Sequence, residues 1–289
     1  MRAGLSTACF AVVPSVGRPN QISLRRIGEV QMKKATQAGI TDCDCKYLYR
    51  VGGVAALIAV LVFRRNLGSE LVGFKGFGIF DVPTTYPSSA IDWFTLLQNN
   101  RFVGLALLNI FDIINYALVG LIFLALSAAL RKADKSAMAI ATIFGFVGIA
   151  VYFASNQAFS MLSLSDQYSI ATTDDRRIIL LAAGEALLAV NNPGAINQGT
   201  GIYISLLLVL LAGLIISIVM LLSSIFNKAT AYVGILANGL GLGSFIALAL
   251  LPAIYVFFPI ISAPFRVIWY ILIALRLFRL GSSVFEGER

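Results

Sequence analysis

The sequence predicts an all-α fold: a polytopic transmembrane helical bundle with about six spanning helices and two short interfacial helices at the outer face. Three observations predict it. Of 289 residues, 58% are hydrophobic and only 12% are charged, where soluble domains carry about 25% charged residues. The mean hydropathy is +0.86. The apolar residues also fall in runs long enough to cross a hydrocarbon core, which takes about 20 residues at roughly 1.5 Å each.

Taken in order, residues 1–46 read as a cytoplasmic tail. The stretch 3–16 is broken by Ser6, Thr7 and Pro14 and makes a poor signal-peptide core. Ser6-Thr7-Ala8-Cys9 resembles a lipoprotein cleavage site, but no apolar stretch precedes it. A second reading starts translation at Met32, where Met32-Lys33-Lys34 opens a basic flank and leaves residues 1–31 untranslated. The first span, 47–63, is short and closed by Arg64 and Arg65, so its flanking cations must snorkel. Further spans follow at 102–130, 137–164, 201–226, 231 to about 251, and 264–280. Pro252, Pro259 and Pro264 leave the end of the fifth span open. Residues 47–281 form one membrane domain, and 282–289 a cytoplasmic tail.

The net charge of +8 points to topology rather than nucleic acid, because the basic residues flank the apolar runs. With six spans, Lys33, Lys34, Lys46, Arg50, Arg131, Lys132, Lys135, Lys228, Arg276, Arg279 and Arg289 share one side. The other side holds Lys75, Arg101, Arg176, Arg177 and Arg266 among a set of acids, with Arg64 and Arg65 as the discordant pair. The positive-inside rule then places both termini in the cytoplasm of a cell-membrane protein.

Two outer segments read as short helices. Ser89-x-x-Asp92 can cap a helix at 90–100 whose Trp93, Leu96 and Leu97 share a face, which suits an interfacial anchor. Thr172-x-x-Asp175 can cap a second over 178–190, too short to span and interrupted by Glu185. Asn191-Asn192-Pro193-Gly194 stops it.

Inside the spans, Asp112 is the one acid, and Asn109, Asp112, Asn115 and Tyr116 lie along one helical face. Counting back about 20 residues from Arg131 puts Asp112 near the outer boundary; counting forward from Ser136 puts Asn156 and Gln157 at the same level. Asn109, Asp112, Asn115, Asn156 and Gln157 are therefore the candidate binding residues of an outward-facing polar vestibule. The competing reading has them bond one another across helices, at roughly 0.6 kcal/mol per bond. Asn238, beside Gly239, Gly241 and Gly243, reads as a close helix contact bridged by an amide.

Much chemistry is excluded. No histidine occurs, which removes His-ligated haem, HExxH zinc sites and a histidine base. Cys9, Cys43 and Cys45 precede the first span and supply neither a disulfide framework nor a metal set. No GxxxxGK[ST] loop occurs, and the last span has no lysine for a retinal Schiff base. No cofactor or metal is expected, and the bilayer is the expected partner.

The segments Ile91-Asp92-Trp93-Phe94-Thr95-Leu96-Leu97-Gln98-Asn99-Asn100, Ala231-Tyr232-Val233-Gly234-Ile235-Leu236 and Arg276-Leu277-Phe278-Arg279-Leu280-Gly281 resemble an uncharacterised family of prokaryotic multi-pass membrane proteins, a domain of unknown function. The resemblance implies the architecture and no activity. The expected function is a non-enzymatic structural, partner-binding or sensory role. A small-solute or ion transporter using the Asp112 vestibule is the alternative, and an intramembrane lipid enzyme is disfavoured because Asp112 is its only plausible base.

Overall fold

The structure is a computed structural model that describes residues 46–62, 86–194, 199–251, 254–255 and 257–282. The chain divides into two units, Met1–Asp44 and Cys45–Arg289, and all described residues lie in the second. The Met32 start and Arg64 and Arg65 fall outside them. Every described element longer than a turn is helical.

Helix α1 covers residues 46–62. It is followed by α2 (Ala90–Asn99), α3 (Arg101–Leu107), α4 (Ile110–Leu130), α5 (Lys135–Ser155) and α6 (Ala158–Ile170). The chain then forms α7 (Asp174–Val190), α8 (Thr200–Leu222), α9 (Lys228–Leu250) and α10 (Phe257–Ser282). Five of these are long and apolar enough to cross a membrane: α4, α5 continued through α6, α8, α9 and α10. That is the make-up of a membrane-embedded protein, since a helix satisfies its own backbone where no water can. The described part of α1 is shorter than these.

Six helices pack side by side in a closed order. α4 lies on α5, α5 on α8, α8 on α9, and α9 on α10. α1 closes the circuit between α10 and α4, with Gly52 against Ala125 and Leu277, and Gly53 against Phe278. Their shared core is rich in alanine, and its fully buried large side chains include Phe123, Ile122, Leu126 and Trp269. Small residues allow backbones to approach closely, which is what holds helices together in lipid. Gly148 shows it: a Cβ there would lie 2.9 Å from the Ser205 carbonyl oxygen of α8.

The remaining helices form a second cluster at the Asn109 end of α4. α2 packs on α3, α6 and α7, around buried Trp93, Phe94, Leu97, Leu107, Met161 and Leu188. Trp93 is 0% exposed. The Trp93 ring is therefore not available as the expected headgroup anchor, because it is enclosed by protein. α2 and α7 are two members of this four-helix cluster, the cap.

Several boundaries also move. The two expected runs 102–130 and 137–164 are each broken, at Leu108–Asn109 and at Asn156–Gln157. α7 begins earlier than 178, and its N-cap is Thr173 rather than Thr172, with Thr173 Oγ1 accepting from Arg176 N at 3.4 Å. α10 begins at Phe257 instead of Pro264 and carries Pro264 within it. Pro259 is tolerated because it sits in the first turn, where backbone N–H groups have no intrahelical partner.

Candidate functional site

The expected vestibule residues lie where two helices break. Asn109 adopts the left-handed conformation, φ 64° and ψ 33°, which asparagine visits more readily than other side-chain-bearing residues. It ends α3 and starts α4. Its carbonyl accepts from Asp112 N at 3.1 Å and from Asn156 Nδ2 at 3.4 Å. The structure thus brings Asn109 and Asn156 together across α4 and α5.

Asn156 serves the second break. Its Oδ1 accepts from Ala158 N at 3.0 Å, closing the turn into α6. Gln157 points away from the other four: with its nitrogen toward α7, as the surrounding carbonyls require, it donates to Leu187 O at 2.8 Å and Asn191 O at 3.3 Å. Asn191 Nδ2 donates in turn to Ser155 O at 3.1 Å. These amides pair with carbonyls and N–H groups at the helix ends, which would otherwise be orphaned in a buried position.

Deeper along α4, Asp112 is half-buried in the first turn, and Asn115 has a buried Oδ1 with no hydrogen-bond partner among the described residues. Tyr116 stacks on Tyr152 of α5, ring centroids 3.9 Å apart and planes 7° from parallel. Asp112 and Arg266 both lie within electrostatic reach of the Tyr116 hydroxyl. Ser205 of α8 also approaches it, yet its fully buried Oγ makes no hydrogen bond of ordinary geometry.

Arg266 is the residue that sequence reasoning misplaced. Assigned to the outer loops, it instead sits inside α10, half-buried, with Nη2 close to Gly241 of α9. Ten residues from Arg276 at 1.5 Å each put it about 15 Å along the helix from the basic end. The early start of α10 draws it in. Asn238 differs too: its Nδ2 donates to Gly234 O of its own helix at 2.8 Å while the amide packs on Gly213 of α8. The bond is intrahelical, and only the packing crosses.

No family model, curated protein or solved structure matches the chain. The site itself therefore carries the chemistry. Among the described residues no three metal-ligating side chains converge, and the amides at the two breaks are engaged in holding helix ends.

The cap surface is differently composed. Arg101 of α3 and Asp166 of α6 pair at 2.6 Å, both largely exposed. They line an open cleft with Phe159, Leu162, Ser163 and Ile170. Beyond it Ile170, Ile178 and Ile179 are 77%, 64% and 59% exposed, beside the charged first turn of α7.

Proposed function

We propose that this chain is a non-enzymatic, six-span cell-membrane protein whose working part is the four-helix cap, a partner-recognition surface held at the outer face with both termini cytoplasmic. One observation carries the reading: the cap has a core of its own, built on Trp93, Phe94, Leu97 and Met161, so its surface is a folded platform rather than a pair of loops. The exposed Ile170, Ile178 and Ile179 beside Arg176 and Arg177 supply the mix of apolar contact and charge that protein interfaces use. α1 is counted as the sixth span because it packs along α4 and α10. The resemblance to an uncharacterised prokaryotic multi-pass family fits the same architecture.

A photo-crosslinking amino acid placed at Ile178 in cells tests this. A discrete adduct is expected there and none at Ile143, an exposed position on α5. Identical patterns at the two positions would refute cap recognition.

Arg266 favours a second reading, a small-solute or ion transporter, because a cation inside a spanning helix is a functional residue by default. Flux in proteoliposomes that Asp112→Asn and Arg266→Gln both abolish would support it over the first.

A further inference from the structure

α1 and α4 leave a groove between them that is closed on the core side by Ala55 and open to the surroundings. Its length is set by Tyr47, Arg50, Val54 and Ile58 on one wall and by Leu118 and Leu121 on the other, and it holds about 340 Å³ between largely aliphatic walls. From Tyr47 to Ile58 the helix rises about 16 Å, close to half of a hydrocarbon core about 30 Å thick. The groove is therefore about as long as one leaflet is deep.

Its mouth is cationic. Arg50 is exposed and makes no hydrogen bond or ion pair among the described residues. Lys46 lies four residues earlier and shares its helical face. The same end of the bundle carries Arg276 and Arg279, because the start of α1 packs on the end of α10 through Gly281, against Arg50 Cγ and Lys46 O. Exposed Arg131 and Lys132 follow the end of α4. The described acid in that turn, Asp134, is engaged as the N-cap of α5, accepting from Ala137 N at 2.9 Å. Tyr47, 74% exposed, stands at the level where amphipathic rings meet headgroups.

We propose that this groove binds an anionic phospholipid, with one acyl chain along Val54, Ile58, Leu118 and Leu121 and the phosphate at Arg50 and Lys46. The apolar channel selects a chain. The exposed guanidinium at its mouth selects the charge, since an arginine–phosphate hydrogen bond is among the stronger ones available to a side chain. The site does not depend on which membrane face the basic end occupies.

The test uses the full-length chain in mild detergent, with bound lipid counted by native mass spectrometry during titration with phosphatidylglycerol or phosphatidylcholine. Retention of one phosphatidylglycerol in preference to phosphatidylcholine is expected. Arg50→Gln should weaken it at least about tenfold, the loss of one charge-assisted hydrogen bond. Val54→Trp, at a 47% exposed position, should block the channel, while Ile143→Trp on α5 should not. Equal retention of the two lipids overturns the proposal, as does wild-type affinity in both Arg50→Gln and Val54→Trp. Binding that appears only after removal of residues 1–44 also overturns it, because the chain's own segment would then be the occupant.

Discussion

Asp92 is bonded to one residue in two ways. Its N–H donates to Ser89 Oγ at 3.3 Å, and its carboxylate accepts from the same hydroxyl at 2.6 Å, with Ser88 Oγ adding a contact at 3.4 Å. The Ser89 hydroxyl holds the Asp92 carboxyl below its ordinary value of 3.8, against a smaller opposing effect of desolvation. A folded-state value lowered in this way contributes stability that is present above pH 3.8 and is lost as the pH falls through the folded value beneath it. Hydrogen-exchange protection of the α2 amides should therefore weaken as the pH is taken below 3.8, and Asp92→Asn should remove that dependence. An Asp92→Asn protein with the wild-type pH profile would show that the carboxylate plays no part. The Ser89-x-x-Asp92 pattern is legible in the sequence because its partners are three residues apart. Glu185 is the contrary case. It reads as an interruption in an apolar run, whereas its Oε1 accepts from Ala90 N at 2.7 Å across 95 positions and completes the same helix start. No local pattern signals that pairing.

Helix contacts here are set by which face each glycine presents, and periodicity alone does not distinguish the faces. Gly239 belongs to the Asn238 glycine group, yet a Cβ there would meet nothing within 4 Å. Gly148, unremarked in the sequence, lies with a hypothetical Cβ 2.9 Å from the Ser205 carbonyl oxygen and 2.9 Å from Val209 Cγ2. Backbone cannot step aside as a side chain can. Gly148→Ala should cost about 1–3 kcal/mol through overpacking. Gly239→Ala should be neutral or gain up to about 1 kcal/mol from helix propensity. Thermal midpoints of the two variants in one detergent check the contrast, and equal destabilisation would contradict the α5–α8 packing. The same limit explains the breaks at Asn109 and Asn156. Hydropathy reads 102–130 and 137–164 as continuous because the residues on both sides of each break are apolar. What stops the helices is a single side chain in each, one able to adopt a left-handed turn and one able to cap the next helix.

The molecule contains two cores of different make-up, and the difference bears on what surrounds each. The bundle core mixes alanine and close glycine contacts with larger side chains such as Phe123, Leu126 and Trp269, while the cap core gathers Trp93, Phe94, Leu97, Leu107 and Met161 around fewer alanines. In water, burying each such large side chain contributes about 1.5–3 kcal/mol; between helices in lipid that drive is absent and close packing replaces it. On the reading proposed above, in which the cap faces water and the bundle faces lipid, the cap lies on one side of the membrane and the tight α4–α5 turn on the other. Labelling single cysteines in a variant with Cys9, Cys43 and Cys45 replaced tests this directly. Cysteine at Ser88 and at Thr172, both in the cap, should react with a membrane-impermeant maleimide added outside intact cells. Cysteine at Ser136 and at Ser282 should react only after permeabilisation, because α5 begins and α10 ends at the basic face. Labelling of Thr172 and Ser136 from the same side would contradict the spanning role of α5. Labelling of Ser136 and Ser282 from opposite sides would remove one of the helices between them from the count. Arg266 belongs to this scale too: its position within α10 places a half-buried charge in the bundle, within electrostatic reach of Tyr116 as Asp112 is.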